Sequence, residues 1–258
     1  MNTEAPKPWV GSLSPSELLA LTHIGIEPAG QVYGISVQAM WTGNLPVTTL
    51  EIEGERDGFN QALTECMFLM NAQADELGAN GVLECQVKYE IDMALAGPSY
   101  ITFKLEITGT AVKDRSSISS SRYFATISCG EMIAMRKAGY EPCGLAIGNC
   151  SYHQVAWRQQ IQVGAFGFWA NQEITELTQG PYTAREIASN RMVQMARASG
   201  GTGIVGVDVR SSVYPSGSLA GGTMAALCRM LLIGSAIRRN PNADSKVDFK
   251  TNLSIGQN

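Results

Sequence analysis

Charged residues are scarce in this chain of 258 residues. They make up 16% of the sequence, against 45% apolar residues, and the formal net charge is −4 with no basic block. Binding to nucleic acid or to an anionic membrane depends on clustered lysine and arginine side chains. We therefore expect neither partner. A surface with so few charges leaves apolar area that needs cover, and self-association is one way to provide it.

Histidine is scarcer still, with His23 and His153 the two residues of this type. Nucleophilic catalysis needs a cysteine or serine beside a base, and His23 falls at the end of a short predicted helix. The glycine-rich turns match neither the P-loop nor the dinucleotide fingerprint. We therefore predict that the protein is not an enzyme and holds no cofactor. A pair formed by Cys150 and His153 on one turn is the enzymatic alternative.

Targeting and membrane signals are also missing from the sequence. The first residues, MNTEAPKPWVG, have neither a basic region nor an apolar run, so we expect no secretory signal and a cytoplasmic protein with its six cysteines reduced. The stretch 219–237 is largely apolar but contains Arg229 and three glycines. We interpret it as a buried strand and not as a membrane span.

What the sequence does contain is a pattern that occurs twice. LGANGVLECQV at 77–87 and SGGTGIVGVDV at 199–209 each follow an amphipathic run with helical spacing and open a run that alternates like a strand. Upstream, glycines and prolines recur at an offset of 114; the matched residues are Gly25, Pro28, Gly30 and Gly34 with Gly139, Pro142, Gly144 and Gly148. The sequence therefore predicts a tandem duplication of a small α+β domain, with a long helix packed on an antiparallel sheet.

The duplication divides the chain into five segments. We predict a flexible lead over 1–13, a first repeat over 14–113, a serine-rich linker over 114–127, a second repeat over 128–239, and a tail over 240–258 that could add an edge strand. Ser14 and Pro15 predict a helix start. The long helices are expected at 57–77 and 182–199, at an offset of 122, each preceded by a linking strand, VTTLEIE and NQEITEL.

The last strand differs between the two repeats. In the first, ITFKLEITGTAV alternates apolar and polar residues, which is typical of a half-buried antiparallel strand. In the second, ALCRMLLIGSAI has lost the alternation, and Leu231 and Ile233 stand where Glu106 and Thr108 stand at an offset of 125. An apolar outer face must be covered by another layer. We expect that layer to come from the other repeat or from another chain.

A metal site is the one chemical site that the residue types suggest. Cys150 and His153 are three residues apart, and Cys143 precedes Cys150 by seven. Thiolate and imidazole ligands suit zinc, copper or another soft metal, although the chain has no CxxC pair. Cys143, Cys150 and His153 are therefore the candidate metal ligands. The alternative is that the cysteines are small buried core residues.

The helix followed by LGANGV, the charged strand and the strand ending ITGTAVK resemble the YbjQ-like family, which is described as heavy-metal-binding. In the second repeat, GGTGIVGVDV and IGSAIR resemble the same domain. The resemblance implies an α+β domain and pentameric rings, and no catalytic residues. Five two-domain chains would supply ten domains, and an even-membered arrangement is the competing geometry.

Together these features predict a bacterial, cytoplasmic homo-oligomer. Its expected function is that of a non-enzymatic, ring-like scaffold or binding protein of unknown ligand. The alternative is a heavy-metal-binding or metal-responsive protein that uses the cysteine and histidine residues of the second repeat.

Overall fold

The computed structural model describes residues 13–41, 48–92, 100–117, 121–157, 175–215 and 223–241. The predicted lead and the predicted tail strand lie outside these residues, except at Leu13, Asn240 and Pro241. The structure is α+β, as predicted. The elements in chain order are α1 (Pro15–His23), β1 (Ile26–Trp41), β2 (Leu50–Glu51), α2 (Glu53–Glu76), β3 (Gly81–Asp92), β4 (Tyr100–Asp114), β5 (Tyr123–Phe124), α3 (Cys129–Lys137), β6 (Tyr140–Trp157), α4 (Thr175–Ala198), β7 (Gly203–Pro215) and β8 (Thr223–Arg239).

The short helices α1 and α3 begin with the same cap. The Ser14 hydroxyl accepts a hydrogen bond from the Glu17 amide, and the Glu17 carboxylate accepts one from the Ser14 amide at 2.8 Å. Ser128 and Glu131 form the same capping box at α3. These reciprocal bonds satisfy amides that a helix start leaves unpaired. The helix start predicted at Ser14 and Pro15 is confirmed.

Two four-stranded sheets carry the fold, with strand orders β1-β4-β3-β5 and β2-β6-β8-β7. All pairs are antiparallel except β3 with β5. We call residues 13–117 the first half and 128–241 the second half. Within them, β1-β4-β3 and β6-β8-β7 follow the same order, although their origin by duplication stays a prediction.

The strand registers of the two halves also correspond. Tyr33 pairs with Thr108 as Ile147 pairs with Ile233. The register shifts fall at matching places, between Pro28 and Gly30 and between Pro142 and Gly144, and likewise at Leu83/Gln86 and Val205/Asp208. A residue of the first half therefore has a counterpart in the second, reached by adding 114 in β1, 122 in α2 and β3, and 125 in β4.

Each long helix packs on its sheet through a row of small and flexible side chains. The buried residues that form this row are Ala62, Cys66, Met70 and Ala74 in α2, and Ala184, Ala188, Met192 and Ala196 in α4. The helices come so close that a Cβ on Gly34 would lie 2.4 Å from the Cys66 carbonyl oxygen, and one on Gly148 would lie 1.9 Å from that of Ala188. Only glycine fits there, which explains why both positions match in the sequence.

The long helices begin earlier than the sequence suggests. α2 starts at Glu53 instead of residue 57, and α4 starts at Thr175 instead of residue 182. Pro181 lies inside α4, and the helix continues through it although proline has no backbone N–H to donate. The strand predicted in NQEITEL is therefore wrong for residues 175–177, and its residues 171–174 lie outside the described part of the chain.

Strands β6 and β8 of the second sheet are covered on both faces. Leu231 and Ile233 belong to the same buried cluster as the α2 side chains, whereas Met230 and Leu232 pack with α4. The layer predicted to cover the apolar strand is thus the first half of the same chain. Residues 223–237 of the apolar stretch fall on β8, and residues 219–222 lie outside the described part of the chain. None of the helices in the described residues is long and apolar enough to cross a membrane.

The segment predicted as a polar linker contributes to the core. Tyr123, Ala125 and Ile127 are buried, and β5 pairs with the edge of β3. The Tyr123 hydroxyl donates a hydrogen bond to the buried Asp114 carboxylate at 2.9 Å. The alternation in YFATI points to this strand, but the preceding run of serines obscures it.

Candidate functional site: the seam between the halves

The three predicted metal ligands all lie buried on β6. Cys150 packs in the core beneath α4, and His153, three residues further along the strand, points to the opposite face. There His153 Nδ1 donates to the Thr48 carbonyl oxygen at 3.3 Å. Cys143 is seven residues from Cys150, roughly 20 Å along a strand. The structure therefore does not bring the three side chains together.

The cysteine thiols are also held in their neutral form. Burial raises the pKa of Cys150 to about 12, with a further contribution from the nearby Glu51 carboxylate, and burial raises the pKa of Cys143. The thiolate is the form that binds metals and attacks electrophiles. All six cysteines are free and buried. Across the described residues, no three histidine, cysteine, aspartate or glutamate side chains form a group that could hold a metal ion.

One contact of the described residues joins the two halves through apolar packing, an ion pair and strand pairing, and we call it the seam. The second half contributes one face of its sheet, and the first half contributes a flank of α2 together with β3. Their side chains form one apolar cluster; its buried members include Phe59, Cys85 and Val87 from the first half and Leu145, Ile147, Leu231 and Ile233 from the second. The partly buried side chains of Leu63 and Met67 pack against it.

A buried ion pair crosses the middle of the seam. Arg229 on β8 donates to both oxygens of the Glu55 carboxylate on α2, at 2.9 and 2.7 Å. The Ser151 hydroxyl also donates to Glu55, and the Arg229 guanidinium lies over the Tyr214 ring, 5.4 Å from its centroid. The Glu55 side chain is 1% exposed. The two-bond geometry fixes how α2 sits on the second sheet.

The first half also supplies an edge strand to the second sheet. β2 pairs with β6 at Tyr152 and His153, and the Ile52 amide donates to the Ser151 carbonyl oxygen at 2.8 Å. Arg191 on α4 then holds β2 through both oxygens of the Glu51 carboxylate. A segment from the other half therefore pairs with the edge of β6 between Ser151 and His153.

Where the seam reaches the edge of β3 and the segment after β5, its contacts are polar. Arg210 on β7 donates to the Val87 carbonyl oxygen at 2.8 Å, on the edge of β3 that faces away from β4. The Thr126 amide, beside β5, donates to the Ser235 hydroxyl on β8 at 2.7 Å. These bonds fasten the edge of β3 to the second half. The first half therefore has no open edge at β3 along the segment that β5 and β7 reach.

A groove of about 420 Å³ opens on the seam between α2, β6 and α4. Phe59, Leu63 and Ile147 form part of its lining, together with Arg191, which is already paired with Glu51. The groove lining contains no cysteine, histidine or carboxylate. It therefore offers no nucleophile or base for catalysis.

Comparison with known proteins gives one informative relative. No family model matches the chain. The chain is 27% identical over 255 residues to an encapsulin nanocompartment protein of Mycobacterium tuberculosis, and the alignment covers 94% of this chain and 90% of that protein. The similarity therefore runs through both halves and the seam between them.

This finding corrects the functional prediction made from the sequence. The prediction of a ring-like scaffold or binding protein of unknown ligand is wrong, and so is the heavy-metal-binding alternative, because the similar protein is a nanocompartment protein. The YbjQ-like, heavy-metal-binding character implied by the sequence resemblance finds no support, since no family model matches. The bacterial source of the relative agrees with the predicted bacterial origin.

Proposed function

We propose that this chain is a structural component of a protein nanocompartment and that it works by associating with copies of itself. The observation that carries the proposal is the similarity to an encapsulin nanocompartment protein along nearly the whole of both chains. A match of this extent involves both halves and the segment between them. It therefore concerns the whole molecule and not a single shared module.

The surface of the chain supports association. Large apolar side chains lie exposed on two strands, Tyr33, Ile35 and Val37 on β1 and Val207, Val209, Val213 and Tyr214 on β7. Both strands stand at the edge of their sheets, where unpaired backbone groups invite pairing with another chain. Clustered exposed apolar residues mark interaction sites in most proteins.

A non-catalytic role belongs to the same proposal. The name of the similar protein describes a compartment and not a reaction. The cytoplasmic location expected from the sequence stays a prediction.

The proposal is tested by the mass and shape of the purified full chain. Light scattering coupled to size exclusion at micromolar concentration should give a mass several times 27.7 kDa, and five times this value if five chains supply ten domains. Electron microscopy of the same peak shows whether the chains close into particles. A monomer at all concentrations tested would contradict the proposal.

A matched control separates assembly from metal binding. The same sample treated with a chelator should keep its mass, because the structure gathers no metal ligands at Cys143, Cys150 and His153. Loss of the assembled peak on chelation would show that association depends on a metal.

A further inference from the structure

Two surfaces of this chain are exposed although their counterparts in the other half are buried. We call the outward side chains of Tyr33, Ile35 and Val37 the β1 face, and the side chains of Val207, Val209 and Val213 the β7 face. Each is an apolar row on an edge strand. The counterparts of the two rows meet each other in the seam.

The counterparts of the β1 face lie on β6 and are covered by the first half. Ile147, Asn149 and Ser151 occupy the equivalent places in the second sheet, and all three are buried. Ile147 packs in the seam cluster with α2, and Ser151 bonds to Glu55. Ile35 is 44% exposed where Asn149 is 8% exposed. The first sheet thus presents to solvent the face that the second sheet buries.

The counterparts of the β7 face lie on β3 and are covered by the second half. Cys85 and Val87 occupy the places of Val207 and Val209 and belong to the seam cluster. Val209 is 51% exposed and Val87 is 3% exposed. The second half thus exposes the strand face that the first half buries against its neighbour.

The β1 face and the β7 face are therefore equivalent to the two surfaces that meet in the seam, but they are exposed in the single chain. Within the chain, the sheet face of the second half sits on α2 and β3 of the first half. We propose that the β1 face of one chain receives the β7 face and the adjoining flank of α4 from a second copy, repeating the seam between chains. The inference rests on the self-association proposed above and names the surfaces that perform it.

The polar contact that Arg210 makes at the end of the seam has an equivalent residue on the first sheet. Arg210 donates to the Val87 carbonyl oxygen, and its counterpart on β3 is Lys88. Lys88 is exposed and pairs with Glu106 at 3.6 Å. In the repeated contact the Lys88 ammonium would reach the carbonyl oxygen of Val209 in the second copy. Tyr182, exposed on the flank of α4, stands where Asn60 lines the seam groove.

One feature of the seam is not repeated. The counterpart of Glu55 is Leu177, and the counterpart of Arg229 is Lys104. The contact between chains therefore lacks the buried ion pair and depends more on apolar burial. Because the β1 and β7 faces are different surfaces, the contact is heterologous and continues from chain to chain until the rotation closes it.

The test uses one charge on each face of the full chain. Ile35→Lys places an ammonium in the β1 face, where Glu106 lies opposite on β4, and Val209→Lys does the same in the β7 face. Each variant should weaken self-association at least about tenfold, with an unchanged circular dichroism spectrum and thermal midpoint. An equimolar mixture of the two should give a 1:1 dimer, because each variant retains the face that the other has lost.

The matched control is Leu19→Lys, which charges an exposed leucine on α1 outside both faces and should leave association unchanged. A wild-type monomer would refute the self-association itself. A wild-type assembly that persists in both variants would refute these faces and leave self-association standing. Dissociation of both variants without a mixed dimer would also overturn the head-to-tail contact.

Discussion

The strands β3 and β7 occupy the same place in their sheets and share a register shift, yet one is core and the other is surface. β3 is covered on its inner face by the second sheet and along its edge by β5 and Arg210. Among the described residues, no segment covers β7 in the same way. Valine at the same position is therefore a core residue in one half and an exposed one in the other.

The strands β1 and β6 show the complementary difference. The edge of β6 pairs with β2 at Tyr152 and His153 and accepts a bond from Arg191 at Asn149, whereas the β1 edge is met by the Gln73 side chain, which bonds to the amide and carbonyl of Tyr33. Whether one of these strands is buried thus depends on whether a segment of the other half packs on it. The predictions below test that difference, beginning with the strongest contact of the covered side.

Removing one partner of the seam ion pair should have the largest effect. Glu55→Ala leaves the Arg229 guanidinium buried without its carboxylate, which costs about 3–5 kcal/mol for a buried pair. Urea unfolding followed by circular dichroism measures the change. The exposed pair between Lys88 and Glu106 on the open side provides the comparison, and Glu106→Ala should change stability by less than about 1 kcal/mol.

A double variant shows whether the loss comes from the stranded charge. Glu55→Leu combined with Arg229→Met replaces the pair with apolar side chains of similar size, and should recover most of the stability lost in Glu55→Ala. If Glu55→Ala unfolds within about 0.5 kcal/mol of wild type, the pair does not fix the seam.

Glycine at the helix contact should be needed in both halves, more strongly in the second. Gly148→Ala places a Cβ 1.9 Å from the Ala188 carbonyl oxygen, and Gly34→Ala places one 2.4 Å from that of Cys66. The helix must move in each case, at a cost of about 1–3 kcal/mol, with the larger cost at Gly148. Thermal unfolding by calorimetry compares the two variants.

The control is Gly130→Ala on α3, where an added Cβ meets nothing within 4 Å. Its stability should equal or slightly exceed that of wild type. A Gly148→Ala variant as stable as Gly130→Ala would show that α4 can shift on the second sheet without loss.

Truncating the same valine in the two strands measures the comparison directly. Val87→Ala removes two buried methyl groups, which costs about 1.5 kcal/mol. Val209→Ala should stay within about 0.5 kcal/mol in dilute monomer. At concentrations where chains associate, the Val209 variant should lose stability as well. Equal effects in dilute solution would show that β7 is covered.

The parts of the fold that follow from sequence are those with a local cause. Gly34 and Gly148 are needed because a helix packs close to the strand, and Ser14 caps the start of α1. Both kinds of feature can be recognised from neighbouring residues. Leu231 and Ile233 indicate a covered face because the strand period fixes which way they point. The sequence predicts a covering layer from the other repeat or from another chain, and the structure shows that the first half of the same chain supplies it.

The seam could not be derived in the same way. Glu55 and Arg229 are 174 residues apart, and nothing around Glu55 distinguishes it from an ordinary acidic residue of a helix start. Arg229, a lone charge in an apolar strand, is the one signal that sequence offers. Cys150 and His153 are three residues apart, a spacing that would bring them together only on a turn. They lie on a strand, which points residues three apart to opposite faces.

The smallest effect concerns a cysteine whose counterpart is Ala188. Burial raises the pKa of Cys66 from 9.0 to about 11. Below pH 9 the thiol is protonated in the folded and unfolded chains, so its contribution is constant. As pH rises from 9 to about 11, the unfolded chain ionises first and folding stability falls, by about 1 kcal/mol at pH 10. Cys66→Ala should flatten this decline, measured as the difference in urea midpoint between pH 8 and pH 10. An unchanged slope in Cys66→Ala would assign the decline to other groups. The difference between Cys66 beneath Gly34 and Ala188 beneath Gly148 would then affect packing alone.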